Sequence, residues 1–284
     1  MRVACLQMRS GISTEENLVT LKQMTAEAVA KGAQYIQTPE MTTLLQKNKA
    51  ALLADIDPEK CGAGADNNVI RFVSSLAKQY GVWLHLGSFA IKLPNGKVAN
   101  RGLLFSPEGI LVEQYDKIHM FDVDLPNNET WRESALYQPG TNAVVANCAD
   151  FNLGMSICYD LRFPHLYRSL AMAGADILTC PAAFTQHTGK AHWHILLRAR
   201  AIENGAYVIA AAQGGTHADT RLTYGHSIII NPWGEIIGEL DHDEPGVLVC
   251  DIDIKDVEKT RSQIPSLKLS ANYSSQSRKG NIPQ

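Results

Sequence analysis

Short apolar segments recur along the chain, and the connections between them are of two kinds. Residues 3–8 and 33–38 are predicted strands separated by a helical segment. Residues 82–91 and 99–105 are predicted strands joined by a hairpin turn at residues 93–97. Helical crossovers suit parallel strands, whereas tight turns suit antiparallel ones. The mixture predicts an α/β fold in which two sheets are covered by helices, within one domain.

The length and composition limit the kinds of protein that the chain can be. Its 284 residues are enough for one large domain or two smaller ones. No linker, repeat or low-complexity run interrupts it, which predicts one domain over residues 1–273 and a polar tail at 274–284. Hydrophobic residues make up 45%, charged residues 19%, and the net charge is −3. Nucleic-acid and anionic-membrane binding therefore have no support, and a small molecule is the expected partner.

The cysteines indicate a reducing compartment. Of six cysteines, Cys5, Cys180 and Cys250 lie inside apolar runs, and no C-x-x-C or Cys/His spacing suggests a metal site. The first residues turn polar before a signal-peptide core can form, and nowhere do 18 apolar residues follow one another. We therefore expect a cytoplasmic protein that binds neither membrane nor metal.

The remaining cysteine of interest, Cys158, stands where an apolar strand ends. The strand of residues 152–157 is followed by an acid, an arginine and Pro164, and then by a predicted helix, so the connection is a tight strand-to-helix turn. Such a turn presents a nucleophile beside backbone N–H groups and the positive end of the helix, which favours the thiolate. The alternative is that Cys158 packs in the core, as most free cysteines do.

Three charged residues share the position of Cys158 near the ends of apolar strands or just beyond them. Glu40 and Lys117 each follow a predicted strand, and Glu133 lies in the next loop. Strand ends converge in α/β folds. A carboxylate that takes and returns the thiol proton, with a cation at the oxyanion, would make Cys158 an acyl acceptor. The alternative for Glu40 and Lys117 is a solvated surface position. No G-x-S-x-G or H-E-x-x-H motif offers another mechanism.

Several motifs, taken in order, resemble those of the nitrilase (carbon-nitrogen hydrolase) superfamily. They are TPEM at 38–41, YDKIH at 115–119, RES at 132–134 and SICYDLRFP at 156–164. The segments TGKAHW at 188–193, LRARAIEN at 197–204 and YGHS at 224–227 are similar to those of its Nit amidase branch. The resemblance covers nearly the whole chain.

The resemblance implies a four-layer α-β-β-α sandwich that forms a homodimer or a higher homo-oligomer and uses no cofactor. It implies that Cys158 is the nucleophile, Glu40 the general base, Lys117 the oxyanion stabiliser and Glu133 an accessory carboxylate. It further implies that Arg162 binds a substrate carboxylate. The remaining substrate-binding positions that we assign are Tyr159, Phe184 and Thr188.

The implied activity is hydrolysis of small linear amides that carry a carboxylate, through a thioester. The branch includes omega-amidases and deaminated glutathione amidases, and AAAQ at 210–213 is closer to the latter. Residues 42–47 lack the aromatic, proline-containing pattern of omega-amidases. An N-carbamoyl amidohydrolase or a nitrilase of the same fold is the alternative among enzymes. A non-catalytic binding protein is the alternative of another class.

Overall fold

The computed structural model describes residues 1–62, 64–125 and 130–269. The helices in this part of the chain are α1 (Thr14–Ala30), α2 (Lys49–Asp55), α3 (Pro58–Cys61), α4 (Asn68–Tyr80), α5 (Pro164–Met172), α6 (Gln186–Asn204) and α7 (Lys255–Gln263). The first eight strands are β1 (Arg2–Gln7), β2 (Tyr35–Gln37), β3 (Trp83–Lys92), β4 (Val98–Phe105), β5 (Leu111–Asp116), β6 (Asp122–Asp124), β7 (Thr130–Arg132) and β8 (Val144–Asn147). The others are β9 (Asn152–Met155), β10 (Ile177–Thr179), β11 (Tyr207–Ala210), β12 (Gly214–Thr216), β13 (Leu222–Tyr224), β14 (Ile228–Ile230), β15 (Ile236–Glu239) and β16 (Gly246–Asp251).

Two large sheets of similar design form the centre of the molecule. The first has the strand order β16-β1-β2-β3-β4-β5, and the second β15-β14-β11-β10-β9-β8. In each, three parallel strands lie together, β1–β2–β3 and β9–β10–β11, and the outer strands pair antiparallel. Helical crossovers connect the parallel strands, because a parallel pair needs a long connection. The mixture of parallel and antiparallel pairing predicted from the connections is therefore present in both sheets.

Helices cover the outer face of each sheet, and the inner faces meet. Leu21 of α1 and Val73 of α4 pack in one apolar cluster with strands of the first sheet. Trp193 of α6 packs in a second cluster that also contains Tyr35 of the first sheet and Leu153 of the second. The layers are therefore helices, sheet, sheet and helices, which confirms the predicted α/β class and the α-β-β-α sandwich.

Two polar stretches of the chain contain short regular elements. Between residues 46 and 67 lie α2 and α3, which begin where the side chains of Asn48 and Asp57 accept backbone N–H groups. Between residues 117 and 140, β6 and β7 pair antiparallel and are followed by a 3-10 turn at Glu133–Ala135. Each of these elements is seven residues long or shorter, so it shows little periodicity in the sequence.

The polar tail predicted for residues 274–284 lies outside the described residues, and the domain boundary at 273 stays a prediction. Among the helices that the structure describes, none has both the length and the apolar character needed to cross a bilayer. The described cysteine side chains, those of Cys5, Cys148, Cys158, Cys180 and Cys250, are free thiols.

Candidate active site

The predicted catalytic side chains come from both sheets and meet between them. Glu40 follows β2, and Lys117 follows β5, so both belong to the first sheet. Cys158 follows β9 of the second sheet. The backbone N–H of Ala183, which follows β10, donates to Oε2 of Glu40 over 2.9 Å. This bond fixes a carboxylate of one sheet against the end of a strand of the other.

The backbone at Cys158 has an unusual conformation. Its φ is 49°, in the left-handed region that residues with a side chain rarely adopt. The N–H of Cys158 donates to the carbonyl of Pro181 over 3.0 Å, and a 3-10 turn, Cys158–Arg162, leads to α5 at Pro164. A strained conformation of this kind concentrates at functional sites. The predicted tight turn is therefore present, with the 3-10 turn inserted before the helix.

Asp160 holds this turn against the segment that carries Lys117. Its side chain has no exposed surface. Its carboxylate accepts the N–H of Ile157 over 2.9 Å, the hydroxyl of Tyr115 over 2.6 Å and the N–H of His119 over 3.0 Å. His119 Nδ1 lies a further 2.7 Å from Oδ1 of Asp160. Asp160 is therefore a positioning residue, and it ties the nucleophile's turn to the end of β5.

Lys117 is enclosed by two carboxylates. Its Nζ lies 2.9 Å from Oε1 of Glu40, and 3.0 and 2.9 Å from the two oxygens of Glu133. Asn100 on β4 donates to the same Oε1 of Glu40 over 2.9 Å. The exposed fraction of the side chain is 2% for Lys117, 6% for Glu40 and 13% for Glu133. An ammonium held this way is a fixed positive charge in a low-dielectric interior, where it acts strongly on a developing oxyanion.

The pKa values of the site follow from this arrangement. Burial would raise the pKa of Glu40, but the charge of Lys117 and hydrogen bonds from Cys158, Lys117 and Asn100 lower it below its ordinary value. Burial would lower the pKa of Lys117, but the charges of Glu133 and Glu40 raise it well above the ordinary value. Glu40 is therefore a carboxylate and Lys117 an ammonium at neutral pH.

The prediction that the turn favours the thiolate of Cys158 is wrong. Burial raises the pKa of the thiol, and the negative charge of Glu40 raises it further. The charge of Lys117 lowers the pKa by less, so the pKa lies well above its ordinary value. The site therefore holds the proton on sulfur, and the carboxylate of Glu40 lines the same cavity.

A cavity of about 270 Å³ opens onto these groups. Glu40, Lys117, Glu133 and Cys158 line it. The residues that we assigned to substrate binding line the same cavity, namely Tyr159, Arg162, Phe184 and Thr188. The structure therefore brings all eight predicted site residues together, and the volume suits a small molecule.

Arg162 presents its guanidinium to this cavity. The guanidinium carbon lies 5.3 Å from the ring centre of Phe184 and 5.8 Å from that of Tyr159. Nη1 lies 3.2 Å from Nδ1 of His192, whose pKa is lowered by burial and by the charge of Arg162. Within the described residues no carboxylate pairs with Arg162. Asp160, the nearest acid in sequence, accepts hydrogen bonds from the end of β5 and from its own turn. The N–H groups of Arg162 that do not face His192 can therefore bind a ligand.

Outside the cavity, one other group of described residues has the spacing of metal ligands. His194, His226 and Glu239 place one donor atom each within 4.8 Å of one another. His194 Nε2 lies 2.6 Å and His226 Nδ1 3.2 Å from the same oxygen of Glu239. The three groups therefore satisfy one another through hydrogen bonds.

Four further residues shape the site, and none of them was assigned to it from the sequence. Asp160 and Asn100 fix the catalytic side chains, as described above. Arg221 and Tyr137 line the cavity. Asp160 stands in the motif at 156–164 and could have been found there, whereas Asn100, Tyr137 and Arg221 reach the site through long-range packing that leaves no local signal.

The fold and the groups at the cavity are those of a thiol-dependent hydrolase. The family model described as carbon-nitrogen hydrolase matches residues 2–262, and the chain belongs to this family. The resemblance inferred from the motifs is confirmed. Membership makes the protein an enzyme that hydrolyses carbon-nitrogen bonds. The alternative of a non-catalytic binding protein is therefore not supported.

Several similar proteins are named deaminated glutathione amidase. The chain is 41% identical to the deaminated glutathione amidase of Yersinia enterocolitica, over 94% of this chain and 91% of the relative. It is 38% identical to the deaminated glutathione amidase of Mus musculus, over 93% of this chain and 81% of the relative. Both alignments span most of each protein.

Solved structures share the fold. The NitFhit protein of C. elegans superposes with a TM-score of 0.86 at 33% identity, over 94% of this chain and 64% of that longer one. A mutant of the amidase from Nesterenkonia sp. AN1 superposes with a TM-score of 0.75 at 25% identity, over 95% of this chain and 100% of that one. In that structure acrylamide has added to the active site cysteine.

Proposed function

We propose that the protein is a cysteine-dependent amidase that acts on small linear amides bearing a carboxylate, of the deaminated glutathione type. One observation carries the proposal: an arginine without a carboxylate partner among the described residues, Arg162, opens onto the same cavity as the thiol–carboxylate–ammonium group. The names of the relatives agree with a substrate of this class. The guanidinium fork of Arg162 matches a planar carboxylate.

The first half of the reaction forms a thioester. The sulfur of Cys158 attacks the amide carbon while Oε of Glu40 takes the thiol proton, and the carbonyl oxygen becomes an oxyanion beside Nζ of Lys117. The tetrahedral intermediate then collapses, the C–N bond breaks, and Glu40 returns the proton to the leaving nitrogen. The amine departs and the acyl group remains on sulfur.

The second half returns the enzyme to its starting state. Glu40 takes a proton from water as the water oxygen attacks the thioester carbon, and Lys117 again faces the oxyanion. The C–S bond breaks, and the sulfur recovers the proton from Glu40. The raised pKa of Cys158 agrees with this cycle, in which Glu40 takes the thiol proton during the attack.

Turnover of a substrate panel tests the proposal. The panel is deaminated glutathione, alpha-ketoglutaramate, glutamine, a carbamoyl amino acid and a nitrile, with ammonia or amine release measured for each. We expect the highest kcat/KM for deaminated glutathione. Faster turnover of the carbamoyl compound would favour an N-carbamoyl amidohydrolase, and faster turnover of the nitrile a nitrilase.

We also propose that the enzyme is a cytoplasmic homodimer. Apolar side chains on the outer helices support an interface: Ile195 and Ile202, seven residues apart on one face of α6, are 70% and 51% exposed, and Met172 at the end of α5 is 63% exposed. The described thiols are all reduced, in agreement with a reducing compartment. Light scattering after gel filtration tests the dimer, and Ile195→Glu should shift the protein toward monomer.

A further inference from the structure

A second arginine, Arg221, lines the active-site cavity from the turn before β13. Its Nε is buried and has no hydrogen-bond partner among the described residues. Asp219 is its nearest acid, but Nη2 and Oδ2 are 3.4 Å apart, and that Oδ2 is also buried without a hydrogen bond. Buried polar groups are normally satisfied, and each exception needs a reason. Arg221 is therefore held in place but incompletely paired, at the wall of the cavity.

The surroundings of Arg221 are those of an anion site. Its guanidinium carbon lies 4.9 Å from the ring centre of Trp131, so the guanidinium group packs over the ring. The N–H groups at the edge of the guanidinium can then bind a ligand. The side chain is 17% exposed, so a charge-assisted hydrogen bond there is screened less than one on the surface. The site thus resembles that of Arg162, which lies over the rings of Tyr159 and Phe184.

The two arginines stand at opposite ends of a row of aromatic rings. From Arg162 the row runs through Tyr159, Phe121 and Trp131, with ring centres 5.1 and 6.1 Å apart, and then reaches Arg221. Both guanidinium groups therefore border the same cavity, one at each end of this series of ring contacts.

Arg221 shares the cavity wall with Tyr137. Tyr137 is buried, and its pKa is raised by burial and by the charge of Glu133 and lowered by the charge of Arg221. Arg221 is therefore a positive charge that acts on the same part of the cavity as the carboxylates of the site.

We propose that Arg221, stacked on Trp131, forms a second anion subsite that binds a carboxylate on the leaving amine, such as the C-terminal carboxylate of a short peptide. This rests on the proposed amidase function, in which Arg162 reads the acyl half of the substrate. The two arginines together then select amides that carry a carboxylate on each side of the scissile bond.

The test compares two substrates that differ only at the end of the leaving group. One is deaminated glutathione, and the other is the same molecule with its C-terminal carboxylate converted to a carboxamide. The wild type should prefer the acid in kcat/KM by about tenfold to a hundredfold, the worth of a charge-assisted hydrogen bond. Arg221→Met should bring the ratio of the two kcat/KM values close to one, and Arg221→Lys should keep part of it.

The matched control is Lys47→Met, which removes an exposed cation at the same cavity. It should leave the ratio as in the wild type. If the wild type shows a kcat/KM ratio of acid to carboxamide near one, the subsite is refuted without any variant. It is also refuted if Lys47→Met lowers this ratio as much as Arg221→Met does, because the preference would then come from diffuse positive charge.

Binding measured in the Cys158→Ala background separates this subsite from the proposed function. Calorimetry with both ligands is performed with and without Arg221→Met. Tighter binding of the acid that depends on Arg221, together with a wild type that hydrolyses neither ligand, supports the subsite and refutes the amidase proposal. Turnover of both ligands without any preference supports the amidase and refutes the subsite. Binding that is equally tight for acid and carboxamide refutes the subsite in either case.

Discussion

Oε1 of Glu40 accepts a hydrogen bond of 2.9 Å from Nζ of Lys117 in the interior of the protein. Each charge stabilises the other, so the pKa of the carboxyl falls and that of the ammonium rises. The carboxylate and the ammonium that the proposed mechanism requires therefore both persist over a wide pH range.

This relationship predicts the pH dependence of kcat/KM. Because the pKa of Glu40 is lowered, the acid limb should lie below the ordinary glutamate pKa of about 4.3. Because the pKa of Lys117 is raised, its loss of charge should lie above the ordinary lysine pKa of about 10.4. The profile should lack a limb near pH 6.5, and circular dichroism at each pH controls for unfolding. A limb at pH 6 to 7 would assign the base to a histidine instead.

Cys158 should be the only thiol needed for turnover. Cys158→Ala should lower kcat by several orders of magnitude, because it removes the nucleophile. The matched variant is Cys180→Ala, whose thiol is also buried and lies 3.9 Å from the carbonyl of Cys158. It should cost about 1 kcal/mol of stability through a small cavity and retain turnover. Mass spectrometry after alkylation should find a single blocked site, and loss of activity in Cys180→Ala alone would contradict the assignment.

Glu133 should act on kcat more than on KM. Its carboxylate accepts from Lys117 and, over 2.6 Å, from the N–H of Phe121, so it holds the ammonium at the oxyanion. Glu133→Gln should lower kcat by about tenfold to a hundredfold, since hydrogen bonds to charged groups contribute roughly 1.5 to 3 kcal/mol. Steady-state kinetics measures this, with the exposed Glu113→Gln as control. An unchanged kcat with a raised KM would leave Glu133 a binding role only.

Arg162 should matter only for substrates with a carboxylate on the acyl half. Arg162→Met should lower kcat/KM about tenfold to a hundredfold for such an acid, and far less for its methyl ester. Arg162→Lys should also be poor, because an ammonium lacks the planar fork. Equal losses on acid and ester would mean that Arg162 supports the turn at Cys158 and not the substrate.

Gly87 on β3 should tolerate no side chain. A Cβ there would collide with the carbonyl of Thr38, and would lie 2.5 Å from that of Pro39 and 2.6 Å from Cβ of Pro181. Thr38 and Pro39 lead to Glu40, and Pro181 accepts from Cys158. Gly87→Ala should therefore lower stability by about 1 to 3 kcal/mol or more and reduce kcat. Gly11→Ala, whose nearest atoms are 3.9 Å away, should do neither in thermal unfolding and kinetic assays.

Much of the fold and site follows from the sequence because local patterns encode it. The strands that end at Glu40, Lys117 and Cys158 are apolar runs with clear stops, and strand ends of one fold converge. Glu133 could be placed only in the loop beyond Lys117, and its role came from the family resemblance, since the hairpin before it is made of strands of three residues. The direction in which the pKa of the Cys158 thiol shifts was predicted wrongly, because burial and the proximity of Glu40 arise only in the folded structure. Arg221 carries no local signal and required the folded cavity.

The division of the site between two sheets has a consequence for how the enzyme switches on. Glu40 and Lys117 belong to one layer and Cys158 to the other. A chain in which only one layer has formed, during synthesis or after partial unfolding, holds either an acceptor without a thiol or a thiol without an acceptor. In the proposed mechanism hydrolysis therefore requires both layers, and a copy in which only one layer has formed should have no activity.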